Sequence, residues 1–208
     1  MKIKKIIYII GILACVCFAS CDNDDEISVV SPDASGEYTD SRDGETYGWV
    51  RYAGLDWMTE NFRYDVGDSN NSSVYVDVDE YETNPTSTEH LSKYGRLYSH
   101  SAAVSAVPDG WRLPTEADWA ALENAAGSYL KDAIRLQYGG YYTLNTIMGT
   151  SGWRFRGCYG FYWSADQDDS KSGEYYFYRK TVYNTYDIVH ESQETANQLS
   201  IRLVRDAR

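Results

Sequence analysis

Hydrophobic and polar positions divide the chain into three stretches with different periodicities. Trp119, Leu122 and Ala126 recur at helical spacing behind Thr115, so one face of a helix is apolar there. Thr115 can cap that helix, and Asp118 stands where a capping box places its second partner. Ser99 to Ala106 is alanine-rich and predicts a second, shorter helix. Upstream, Glu45 to Arg51 and Leu55 to Met58 read as strands about an Ala53-Gly54 turn. Residues 65 to 93 are polar, with turn material at Asn70 to Ser73 and Asn84 to Thr86. From about Tyr138 tyrosines, glycines and β-branched residues dominate. Trp153 to Ala165, Tyr175 to Val182, Thr185 to Val189 and Leu199 to Arg205 read as strands. Turns fall at Gly139-Gly140, Asp166 to Gly173 and Glu191 to Asn197. Helices early and strands late predict an α+β fold.

The first twenty residues follow a different pattern. Lys2, Lys4 and Lys5 precede an apolar run from Ile6 to Phe18 that is short for a membrane span, and small residues stand at 19 and 20. This is the layout of an export signal over residues 1–20. Phe18-Ala19-Ser20-Cys21 resembles a lipobox, which implies that Cys21 becomes the lipid-bearing first residue of the mature protein. The acidic run Asp22 to Glu26 resembles the export signals of surface-displayed Bacteroidetes lipoproteins. Residues 21–36 read as a flexible acidic tether and 37–208 as a single domain. The expected location is therefore the outer membrane, lipid-anchored and exposed at the cell surface.

Composition narrows the partners. The formal charge is −12, and removal of the three leader lysines makes it more negative. Such a surface repels phosphate backbones, which argues against nucleic acid. Twenty tyrosines and six tryptophans predict an aromatic-rich core with polar tips available for hydrogen bonding. Cleavage before Cys21 leaves Cys21 and Cys158. An internal disulfide is then not expected, and Cys158 reads as a buried, inert thiol within a strand.

Several segments together resemble the Fibrobacter succinogenes major paralogous domain. Asp40 to Tyr47 (DSRDGETY), Leu55 to Phe62 (LDWMTENF), Tyr94 to Tyr98 (YGRLY), Pro108 to Thr115 (PDGWRLPT), Tyr162 to Ser164 (YWS) and Ser200 to Asp206 (SIRLVRD) stand in family order. That family is similar in pattern to the C-type lectin-like fold, including its formylglycine-generating branch. The resemblance implies two helices, small antiparallel sheets, and paired N- and C-terminal strands, here Thr46 to Tyr52 with Leu199 to Arg205. Family members often carry cysteines where this chain has Val107 and Leu203, which implies an apolar contact in place of a bridge.

Catalytic signatures are sparse. Formylglycine-generating chemistry needs a reactive cysteine pair, and only Cys158 is available. His90, His100 and His190 lack metal-ligand spacing, and neither a nucleophile elbow nor a phosphate-cradling loop is present. The EPN, QPD and WND motifs of calcium-dependent lectins are missing. Calcium is therefore not an expected cofactor, although two acidic loops are candidates for it: Asp77, Asp79, Glu80 and Glu82, and Asp166, Asp168 and Asp169. Tyr175 and Phe177 should share one strand face and Tyr176 and Tyr178 the other. Tyr176 and Tyr178, with the second acidic loop, are the candidate ligand contacts. Trp57, Trp111, Trp119 and Trp163 read as core. The expected function is a non-enzymatic surface module that binds glycan or protein. The rival expectations are an enzyme acting on surface polysaccharide and a structural subunit of a fimbria-like assembly.

Overall fold

The computed structural model describes residues 30–76, 87–144 and 152–207. The leader, Cys21 and the acidic residues Asp77, Asp79, Glu80 and Glu82 lie outside these residues. The chain folds as mixed α and β. In order it forms β1 (Ser35–Thr39), β2 (Thr46–Tyr52), β3 (Leu55–Met58), β4 (Ser72–Ser73), α1 (Ser87–Tyr94), β5 (Leu97–Tyr98), α2 (His100–Ala106) and α3 (Glu116–Ala126). A 3-10 turn leads to α4 (Leu130–Ala133), then β6 (Tyr141–Thr143), β7 (Gly152–Arg154), β8 (Tyr159–Gln167), β9 (Tyr175–Val182), β10 (Ile188–Glu194) and β11 (Val204–Asp206). Among the described residues, no helix is long and apolar enough to cross a membrane.

Local sequence explains the strongest elements. Ala53 and Gly54 both adopt positive φ between paired Tyr52 and Leu55, as a two-residue type I′ hairpin requires. The capping box forms as expected: Asp118 N donates to Thr115 Oγ1 at 3.1 Å, and Thr115 N donates to Asp118 Oδ2 at 2.7 Å. Ser99 caps α2 by accepting from Ala102 N.

The terminal strands share a sheet but do not pair with each other. Its order is β1-β2-β3-β11, so the last strand lies against β3. The tight β2–β3 hairpin occupies one edge of β2 and β1 takes the other, so β2 has no edge free for β11, which pairs along the outer edge of β3. The row Arg51, Asp56, Arg205 crosses β2, β3 and β11. There the buried Asp56 carboxylate accepts from Arg51 Nε at 2.6 Å and Arg205 Nε at 3.0 Å. Order also begins earlier than residue 37. Asp33 N donates to Arg51 O and Arg51 N to Ala34 O, extending the β1–β2 ladder into the expected tether.

Two further helices correct the expected pair. In α1 the buried His90 and Tyr94 face inward, so the inward stripe is partly polar and gives no apolar period. In α4 the Lys131 ammonium is turned inward, donating to Val182 O at 2.8 Å and to Thr185 O. Strand β10 continues to Glu194, through residues expected to turn, because Ser192, Gln193 and Glu194 pair with Phe177, Tyr176 and Tyr175.

Two aromatic clusters form the core. One gathers Tyr47, Met58, Phe62, Tyr98, Trp111 and Trp163; the other gathers Trp57, Trp119, Leu122 and Tyr162. All four motif tryptophans, Trp57, Trp111, Trp119 and Trp163, are buried. Val107 packs against the cluster that contains Leu203. The segment Leu199 to Val204 is buried along its whole length.

Candidate functional site

The sheet β10-β9-β8 has two working faces. Phe177, Arg179 and Thr181 share one of them with His190. On that side Arg179 reaches α3, donating to Glu116 at 2.7 Å and Glu123 at 2.8 Å. The other face carries Tyr159, Phe161, Tyr178, Lys180 and Gln193, and a cleft of about 260 Å³ opens over it. Tyr141 and Phe155 form the cleft's outer wall.

Gly140 makes that wall possible. It sits at φ 69°, and a Cβ there would lie 2.2 Å from Arg154 O and 2.7 Å from Arg156 N. Only glycine admits the neighbouring backbone so closely. Gly140 N donates to Tyr159 O at 2.9 Å, and Gly157 N donates to Tyr138 O at 2.7 Å, pinning residues 155–158 as a tight turn. Within it Phe155 is held at φ 64°. A bulky side chain in the left-handed region is an outlier, and such strain collects at binding sites. Its ring is 50% exposed. It stacks on Tyr141 at 6.0 Å and meets Tyr159 edge-on at 5.1 Å. Tyr141 lies 4.8 Å from Phe161, which lies 5.9 Å from Tyr178.

Polar groups sit behind the rings. Lys180 Nζ donates to Glu191 Oε1 at 2.6 Å, and Tyr178 Oη donates to the other oxygen. Burial, and then the Glu191 carboxylate, push the Tyr178 phenol well above its usual value. Burial opposes ionisation of Glu191, but hydrogen bonds from Lys180 and Tyr178 hold its carboxyl below the usual range. The site thus joins an apolar wall to a fixed ammonium–carboxylate–phenol triad.

The remaining candidates separate. Tyr178 belongs to the cleft, whereas Tyr176 stacks on His100 at 3.5 Å. His100 Nε2 lies 3.0 Å from Ser164 O, and burial lowers its pKa. Asp166 accepts from Glu116 N at 2.7 Å, at the start of α3. Asp168 is buried and accepts from Ser170 and Ser192, which hold its carboxyl below the usual value. Asp169 is exposed. Among the described residues, no group of three or more histidine, cysteine, aspartate or glutamate side chains is arranged to hold a metal ion. Cys158 is exposed rather than buried, because the expected continuous strand breaks at the 155–158 turn.

The residues on this frame that match a known family run from 50 to 136, and the family is described as the Fibrobacter succinogenes major domain. Over that stretch the chain is similar to this family's domain. The matched stretch holds β3, the YGRLY segment and the GWRLPT entry to α3. The cleft, built from residues 141–193, lies C-terminal to it. No curated protein and no solved structure matches the chain. Sequence reading found Tyr178 through strand alternation. It missed Phe155, Tyr141 and Lys180, although Gly139-Gly140 marked the close approach that assembles them.

Proposed function

We propose that this Fibrobacter succinogenes major domain protein is a lipid-anchored, surface-exposed, non-enzymatic module whose aromatic cleft binds glycan. The arrangement is C-type lectin-like in this reading, with Cys21 carrying the lipid. The observation that carries the proposal is Phe155, a half-exposed ring kept at positive φ over the cleft. A pyranose offers an apolar C–H face to such a ring and hydroxyls to Lys180, Glu191 and Gln193. The cleft falls just below the roughly 300–1,000 Å³ typical of sites for drug-sized ligands. It therefore suits one or two sugar rings at the end of a chain.

The test is a glycan array with the purified full-length protein, with and without calcium. Phe155→Gly removes the platform and suits the backbone conformation. It should keep the fold, as read by near-UV circular dichroism, and bind at least about tenfold more weakly, roughly 1.4 kcal/mol. Wild type that retains no glycan in either condition would overturn the reading.

A further inference from the structure

The antiparallel β6–β7 pair has aromatic side chains on both faces. Tyr141 and Phe155 serve the cleft described above. Tyr142 and Trp153 are cross-strand partners, so they share the other face, with ring centroids 5.1 Å apart. A separate cleft of about 380 Å³ lies there, lined by Ser69, Asn70, Ser73, Tyr142, Trp153 and Gln198, with half-exposed Leu144 at its rim.

Its floor is built rather than incidental. Gln198 is 1% exposed. Its backbone pairs with Tyr142 at 2.9 and 3.0 Å in both directions. Its carboxamide accepts from Ser73 Oγ at 2.6 Å and donates to Asn70 O at 3.0 Å. That side chain therefore ties residues 70–73 to the β6–β7 pair. Two polar groups stand near this floor. Trp153 Nε1 is a buried donor without a partner, and the Asn70 carboxamide stands exposed. None of the lining residues is charged.

We propose that this face is a second carbohydrate subsite, selective for uncharged sugars. A pyranose resting on the Tyr142–Trp153 pair would offer hydroxyl oxygens to the exposed Asn70 carboxamide. A carboxylated sugar would meet no cation in the lining. The inference rests on the glycan reading and adds a site to it.

The experiment uses arrays of uncharged and uronate-containing oligosaccharides, probed with full-length wild type, Trp153→Ala, Asn70→Ala and Phe155→Gly. Uncharged glycans should bind Trp153→Ala and Asn70→Ala at least about tenfold more weakly. Some of that binding should survive in Phe155→Gly. Asn70 is exposed, so its variant keeps the answer available if Trp153→Ala fails to fold. Wild-type binding of uncharged sugars by both Trp153→Ala and Asn70→Ala would overturn the second subsite. If Phe155→Gly alone abolished binding in that case, the first cleft would stand and only the second would fall. Wild type that binds nothing overturns both.

Discussion

Arg202 shows most clearly how a residue can look ordinary in sequence and be central in space. In Leu199 to Arg205 the apolar residues alternate with Ser200 and Arg202, as in a strand with one wet face. Both polar residues are fully buried instead. The Arg202 guanidinium donates to Ile134 O at 2.7 Å, Met58 O at 3.1 Å and Arg135 O at 3.3 Å, and to Asn61 Oδ1 at 2.6 Å. These partners are all neutral, and burial lowers the arginine's pKa. Tyr162, whose ring lies below the guanidinium, is pushed up to about 12 by the same burial. Removing such a hub leaves a cavity and several stranded acceptors. Arg202→Ala should therefore lose roughly 3–5 kcal/mol of stability, read by urea denaturation. A loss under about 1 kcal/mol would show that the buried hydrogen bonds are not structural.

Elements divide by how local their determinants are. Helix α3 was legible because its cap and its apolar stripe lie within eleven residues, Glu116–Ala126, and the preceding Thr115. Thr115→Ala deletes one arm of the capping box and should cost about 1 kcal/mol, measured as a shift in urea midpoint at constant slope. An unchanged midpoint would mean that the Arg112–Asp118 ion pair sets the helix start without the cap. Strand β9 and the β2–β3 hairpin were legible for similar reasons, through alternation and a two-residue turn. Helix α1 was not, since its inward residues are His90 and Tyr94 within a polar run. Strand β10 was not, since residues that look like turn material are extended by pairing with β9. The 155–158 turn was also hidden: nothing in Phe155 announces a left-handed backbone, and the turn packs against Gly140, a residue distant in sequence.

For the molecule as a whole, the anchor and the domain make separable demands. If Cys21 carries lipid, Cys21→Ser should move the protein from the detergent phase to the aqueous phase of a Triton X-114 partition. The array binding of the domain should be unchanged. Detergent partition that persists in the variant would place the anchor elsewhere. The domain itself is closed by long-range contacts. Strand β11 docks on β3, and Tyr98 pairs with Leu199, so the C-terminal segment is threaded between the two aromatic clusters. Sequence alone determined the mixed α and β content, the family resemblance over residues 50–136, the capped helix, the hairpin turn and the buried tryptophans. Each of these depends on neighbours a few residues apart or on motifs with their own order. Tertiary structure decided which edge receives the last strand, that Arg202 is internal and that Cys158 is exposed. It also decided that Phe155 and Tyr141 stand over Tyr178. Those outcomes depend on which surfaces remain free once the local elements have formed, and no local pattern encodes them.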